Sequence, residues 1–376
     1  MAPQAVRPSQ LLWPAATVII VAAGLLALYV AKHGGDLASL LCAGENRIGR
    51  HPYEAIETAG GPNGYDGQFY YAIAQDPWRT HDNELIDNPA ARHQRILYPA
   101  LCWLLSGGNP DALLWVMPCV NLLALGGITA LGAWLAAAHG RSPWWGVALP
   151  ASLNAALPAM HNLTDPIAML AVAALLAVWL ARGPAWLIAL TAAAAVFARE
   201  QNLAVVGILG LAGLWRGRTP ATCGLAVSVL AWVAWVGVLR ATYGTWPFLD
   251  GAGNFGPPLE GMLFRWEHPG GNDGFSRRLS IFFVAAMVHL TLQLALAGYL
   301  TLRRPLGAVT GCMLAGAGLA LVAGTSIYGD FWSFTRVFVW LPLGIWLIGL
   351  RGPANWPLLA LLPAVLWPIA GALRYV

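Results

Sequence analysis

The stretch LLWPAATVIIVAAGLLALYVA, residues 11–31, contains no charged side chain. As a helix rising about 1.5 Å per residue it spans the roughly 30 Å hydrocarbon core of a bilayer. A run of this kind leaves the chain few choices. In hydrocarbon every backbone N–H and C=O must be paired internally, so it folds as a helix or not at all. Similar runs recur to the C-terminus, and only 10% of the 376 residues are charged while 58% are hydrophobic. Soluble chains carry about 25% charged residues. The expected fold is an all-α polytopic membrane protein. The first run is too long for the apolar core of a leader and ends in YVAKHGG without a small-x-small site, so it reads as a span.

Hydropathy and chain breakers place about eleven candidate transmembrane helices, at 11–31, 111–138, 143–160, 166–181, 184–198, 202–215, 220–241, 279–302, 305–325, 336–350 and 353–372. The runs at 184–198 and 202–215 are short, which suits tilted helices or helices that end below the surface. With the N-terminus in the cytoplasm, the short inner connections hold Arg141, Arg182, Arg216, Arg218, Arg303, Arg304 and Arg351, as the positive-inside rule requires. Residues 1–376 then form a single integral membrane domain. Two long outer segments interrupt it, 32–110 and 242–278, with interfacial helices expected in the first, over YDGQFYYAIA and RILYPALCWLLSGG.

All 17 Asp and Glu residues fall on the outer side of this topology or at outer helix ends. Carboxylates contribute little to orientation, so the one-sidedness points to outer-face chemistry. The five cysteines have no metal-type or redox spacing, and an odd count argues against a disulfide framework. No cofactor is expected. Scattered carboxylates are compatible with a divalent metal, but no HExxH, DxD or His cluster indicates one. The absence of a P-loop or dinucleotide fingerprint argues against a nucleotide-driven mechanism, and no nucleic-acid partner is expected.

The most informative short segment is GPNGYDGQFYYAIAQDPW, residues 61–78. Its glycines and Pro62 mark a tight turn. Asp66 follows at the expected N-terminus of a helix, where it reads either as an N-cap or as a base aimed at substrate. Tyr65, Gln68 and Tyr70 flank it as candidate substrate contacts. In IDNPAARHQRILYP, residues 86–99, Arg92 and Arg95 precede an apolar helix as a candidate phosphate clamp, because guanidinium binds phosphate bidentately. Asp87 is placed to cap locally or to orient one of them, and His93 reads as structural or solvated. HNLTDP sets His161 and Asp165 at an outer helix end, with Asp165 a candidate cap ahead of Pro166. FARE puts Arg199 and Glu200 between two short spans, where ionisable groups pair with each other or mark a substrate path. Asp330 and Arg336 lie in the aromatic segment SIYGDFWSFTRVFVWLP, with Arg336 a candidate ligand for a lipid phosphate. The second outer segment offers Trp246, Asp250, Asn254, Arg265, Trp266, Glu267 and His268 for sugar stacking or a lid.

GYDGQFYYAIAQDP followed by RILYPALCWLLS resembles the WDGxWYxxIA … FxPLYPLL pattern of GT-C membrane glycosyltransferases, above all the PIG-V and PIG-M type mannosyltransferases and their bacterial relatives. Residues 163–200 are similar to the stretch of those enzymes that runs to a TRxTG element. The likeness covers about residues 60–215; Tyr65 stands where the family has Trp, and no second acid adjoins Asp66. The resemblance implies a GT-C fold in a bacterial inner membrane with a periplasmic active site. It also implies a polyprenyl-phosphate-linked sugar donor, a lipid, glycan or protein acceptor, contact with membrane lipids, and Asp66 as general base. Arg92, Arg95, Arg199 and Arg336 are then the candidate ligands of the donor phosphate. Asp87, His161, Asp165, Glu200 and Asp330 join Tyr65, Gln68 and Tyr70 as substrate contacts. The competing readings are a transporter or flippase of a lipid-linked or anionic solute, which calls for ionisable groups near span midpoints such as His289, and a scaffold protein.

Overall fold

In a computed structural model, residues 7–365 are described apart from 55, 58–59, 79–84, 153, 270–276 and 353. The helices are α1 Pro8–Lys32, α2 Gly67–Gln75, α3 Pro89–His93, α4 Leu97–Ser106, α5 Pro110–Ala138, α6 Trp145–Ser152, α7 Ala156–Met160, α8 Asp165–Leu180 and α9 Ala185–Ala198. They continue with α10 Leu203–Trp215, α11 Thr219–Tyr243, α12 Glu260–Glu267, α13 Arg277–Arg303, α14 Ala308–Val322, α15 Thr325–Gly329, α16 Phe331–Val337, α17 Trp340–Arg351 and α18 Trp356–Leu359. No strand is assigned among the described residues, and an isolated bridge pairs Phe255 with Ala323.

Among the described residues four helices are long and apolar enough to cross a membrane: α1, α5, α11 and Ser280–Arg303 of α13. Their ends follow local chemistry. Asn109 caps α5, its side chain accepting from the Ala112 N–H at 2.9 Å, with Pro110 and Asp111 in the first turn. Gly244, at φ +71°, ends α11. Leu12, Ile20 and Leu28 of α1 and Leu230 and Val233 of α11 are exposed, the surface a helix presents to lipid.

The remaining apolar segments depart from the expected spans. Residues 143–160 are not one helix: α6 and α7 are separated by a break in which Asn154 takes a left-handed φ of +53°. Pro150 and Pro158 remove donors on either side of it. The 336–350 run is split between α16 and α17, and within 353–372 the described part, 354–365, holds only the short α18 and a 3-10 turn, while 353 and 366–372 lie outside the described residues. Helices α8, α9, α10, α14 and α17 have 16, 14, 13, 15 and 12 residues. They are therefore only about 18–24 Å long. They pack on their neighbours, α9 against α8 and α11, α10 against α11 and α14, and α14 against α17.

Two apolar clusters form. The larger fills the helical body, with Trp179, Leu209, Met313 and Trp346 buried in it. The smaller lies beneath the 32–110 segment and joins Leu41, Tyr53, Tyr70, Tyr98, Cys102 and Met117. Phe69, Tyr70 and Tyr71 of α2 are all buried in protein. Burying each aromatic ring stabilises by about 1.5–3 kcal/mol. The end of α4 keeps an exposed apolar edge through Leu104 and Leu105. No disulfide forms among the five cysteines, all of which are described.

Candidate functional site

The turn before Asp66 is tight because it is packed on backbone. Tyr65 N–H donates to Cys42 O at 2.8 Å and Gly60 N–H to Ala43 O at 2.7 Å, tying the turn to residues 42–44. Gly64 has φ +68°, and a Cβ there would lie 2.4 Å from Cys42 O. Gly67 is more constrained still: a Cβ would stand 2.1 Å from the carbonyl oxygen of His161. Only glycine lets the start of α2 dock on that backbone, and the docking fixes the residue before it, Asp66. Gln68 completes the turn. Buried, it accepts from Gly44 N–H at 2.8 Å and donates to Asn63 O at 3.0 Å, which makes it a tie of the turn and sets it apart from the cavity described below.

Asp66 is not a cap. It sits at the N-cap position with helical backbone angles (φ −56°, ψ −30°), and its side chain accepts no capping hydrogen bond. Capping oxygens normally come from an extended residue. The carboxylate is instead held between two guanidiniums, Arg92 at 3.0 Å and Arg336 at 3.3 Å. Burial by itself would raise the Asp66 pKa, but Arg92 and then Arg336 outweigh it and hold the carboxyl below its ordinary value.

Each arginine is shared with a further acid. Arg92 makes a two-pronged pair with Asp87, at 2.8 and 3.1 Å, and lies 4.5 Å over the Phe69 ring. Asp87 therefore orients an arginine and does not cap. Arg336 reaches Asp165 at 2.7 Å, and Asp165 also pairs with Arg199. The result is an alternating chain, Asp87–Arg92–Asp66–Arg336–Asp165–Arg199, that crosses from the first outer segment to the ends of α8, α9 and α16. Asp165 opens α8 and makes no cap; the cap position is taken by Thr164, which also makes no side-chain bond. The expected local pair of Arg199 with Glu200 does not form either. Glu200 is gripped by Arg95 at 2.6 and 2.8 Å, and Arg95 touches the Tyr70 hydroxyl at 3.4 Å. Burial would push Glu200 up, but Arg95 outweighs it and takes the carboxyl down to about 2.

These groups line one cavity of about 650 Å³ that contains Asp66, Arg92, Arg95, Arg199, Glu200 and Arg336. Its other wall is apolar and aromatic, with Trp232, Phe248, Phe255, Leu319 and Ile327. Asp165 lies behind that surface, 2% exposed, and the Nε atoms of Arg199 and Arg336 are buried with no partner among the described residues.

Two further expected contacts are supports. Asp330 caps α16 through the Ser333 N–H at 3.1 Å and accepts from the Ser333 and Tyr65 hydroxyls at 2.6 and 3.3 Å. Burial pushes the Tyr65 phenol up, so it stays protonated and donates to Asp330 while accepting from Arg336 at 3.4 Å. His161 is buried, with Nδ1 3.2 Å from the Cys42 thiol and its ring edge-on to Tyr65. His93 is likewise structural, bonded to Pro89 O and packed on Tyr243. From the second outer segment, Asn254 lines the cavity, whereas buried Arg265 donates to Tyr328 O and Gly329 O at 2.6 Å. Gln94, Gln201 and Trp232 also line it. Trp232 sits within α11, and no pattern in the sequence distinguishes it from a lipid-facing residue.

The described residues form a helical fold with helices long and apolar enough to cross a membrane and a carboxylate–arginine cavity near the ends of its shorter helices. Comparison with protein-family models, with curated proteins and with solved structures gives no match to this chain. Among the described residues no group of three or more His, Cys, Asp or Glu is arranged to hold a metal ion.

Proposed function

We propose that this protein is a membrane glycosyltransferase of GT-C type. It moves a sugar from a polyprenyl-phosphate donor to a hydroxyl acceptor at the periplasmic face of a bacterial inner membrane, with Asp66 as general base. The observation that carries this reading is the state of Asp66: an ionised carboxylate on a cavity wall, free of any capping role, with four arginines around the same space.

Inverting transfer needs a carboxylate to take the acceptor proton as the sugar carbon gains oxocarbenium character, and fixed positive charge for the leaving phosphate. Arg92 and Arg336 bridge the two tasks, because each already touches Asp66. A donor phosphate drawn to these guanidiniums weakens their hold on the carboxylate and raises its basicity as substrate binds. Tyr65, held between Arg336 and Asp330, fixes the guanidinium's position. The apolar wall suits a polyprenyl chain, and the short central helices favour its entry. At about 20 Å they fall short of the roughly 30 Å hydrocarbon thickness, so the cavity floor lies below headgroup level. Transfer is favoured over transport because the carboxylates of the site and their paired arginines gather at one end of the helices, while His289 within α13 is bonded to Ala360 O and Gln293.

The test is sugar transfer by the purified protein from a panel of synthetic polyprenyl-phosphate sugars, with Asp66→Asn beside the wild type. Donor consumption by wild type and none by the variant is expected. Equal turnover by both removes Asp66 from the chemistry, and no turnover of any donor with lipid extract as acceptor removes the enzyme reading.

A further inference from the structure

Helices α10 and α14, which line the carboxylate–arginine cavity at one end, meet the ends of α8 and α17 around a second cavity at the other. Helix α8 runs from Asp165 to Leu180, α10 from Leu203 to Trp215 with Arg216 following, and α17 ends at Arg351; α14 runs the opposite way, from Ala308 to Val322. The far cavity measures about 290 Å³ and is lined by Trp179, Arg216, Arg304, Arg351 and the first turn of α14. A Cβ on Gly307 would stand 3.5 Å from the Arg216 guanidinium, and one on Gly352 3.4 Å from that of Arg304, so both charged tips lie against the cavity's own backbone.

The arginines at this end fall into two groups. Arg218 stacks 4.1 Å over Trp179 and donates to its carbonyl; Arg141 donates to Gly352 O and Asn355 Oδ1; Arg303 lies over Tyr299. The side chains of Arg216, Arg304 and Arg351, all three exposed, have no hydrogen-bond or carboxylate partner among the described residues, and these three line the cavity. Each also follows or ends a helix, where a cation complements the dipole. That accounts for each singly but not for their convergence. The α14 terminus they share adds positive potential, since its N-cap is Gly307 and no side chain caps it.

We infer that this second cavity binds a phosphate group, with Arg216, Arg304 and Arg351 as ligands and the α14 N–H groups completing the cradle. A phosphate relieves the mutual repulsion of three guanidiniums and accepts from each through charge-assisted hydrogen bonds. The chemistry is that of a phosphodiester lipid headgroup or of free phosphate.

The test uses the full-length protein in uncharged detergent, read by native mass spectrometry and thermal unfolding. The probes are dihexanoyl phosphatidylglycerol, dihexanoyl phosphatidylcholine and inorganic phosphate. Wild type is expected to retain the anionic lipid or phosphate and to gain thermal stability from it, with the affinity falling roughly tenfold for each guanidinium removed. Arg304→Gln/Arg351→Gln should lose the adduct and Arg303→Gln should keep it. Protection by phosphatidylglycerol alone assigns the site to lipid, and equal protection by inorganic phosphate assigns it to the free anion. Should the double variant fail to elute as a single species, Arg216→Gln alone must still weaken binding. Equal adducts on wild type and the cavity variants, or equal loss in Arg303→Gln, overturn the inference.

Discussion

Replacing Asp165 with Asn should destabilise the protein by about 3–5 kcal/mol, the range for removing one partner of a buried ion pair. The structure puts this site at the severe end. Asp165 is 2% exposed, and its two partners Arg199 and Arg336 are 9% and 7% exposed at the side chain. The variant keeps the shape but leaves two buried cations facing a neutral amide. Arg336 retains Asp66 at 3.3 Å, whereas Arg199 has no other ion-pair partner among the described residues. The damage should therefore fall mainly on Arg199, and removing that charge should partly undo it. Asp165→Asn/Arg199→Gln is expected to be more stable than the sum of its single variants by about 1 kcal/mol or more, the non-additivity of groups in contact. Reversible denaturant unfolding in detergent micelles, run as a four-protein cycle, measures both quantities. A single variant within about 1 kcal/mol of wild type, or strictly additive behaviour, would refute the claim that Asp165 is the buried hub of the charged chain.

Arg92→Gln removes the largest influence that lowers the Asp66 pKa, so the acidic limb of the transfer rate should move to higher pH; a limb that stays in place would separate Asp66 from that ionisation. Glu200 is lowered from the ordinary 4.5 to about 2, so its stabilising pairing with Arg95 is complete above pH 4.5 and fades as pH falls toward 2. Acid unfolding of Glu200→Gln should accordingly show a flatter stability profile across that window than wild type. Gly67→Ala should cost about 1–3 kcal/mol as α2 is forced off the His161 carbonyl, measured by thermal unfolding, while Ala in place of the unconfined Gly61 serves as the strain-only control because of its φ of +98°.

Helical class, membrane character and the turn at 60–67 were legible in the sequence because each is local. An uncharged run long enough for a bilayer has one conformation available, and a Gly-rich turn ahead of an aromatic helix signals itself within ten residues. The residue types of the site were legible too: Asp66, Arg92, Arg95, Arg199, Glu200 and Arg336 all line the cavity. Their partners were not. Asp66 and Asp165 read locally as helix caps, and Arg199 and Glu200 as a pair, because neighbouring residues are all that a sequence motif compares. Tertiary packing brought Arg336 to Asp165 across 171 residues and Arg95 to Glu200 across 105, and at those distances a charge-assisted bond outweighs a cap. The breaks in 143–160 and 336–350 were also decided in three dimensions, where the Asn154 side chain donates to the Thr335 hydroxyl at 2.9 Å and joins the two interrupted segments. Sequence determined which groups carry charge and that they lie near helix ends; the packing of short helices decided which of them meet, because pairing depends on where those ends converge.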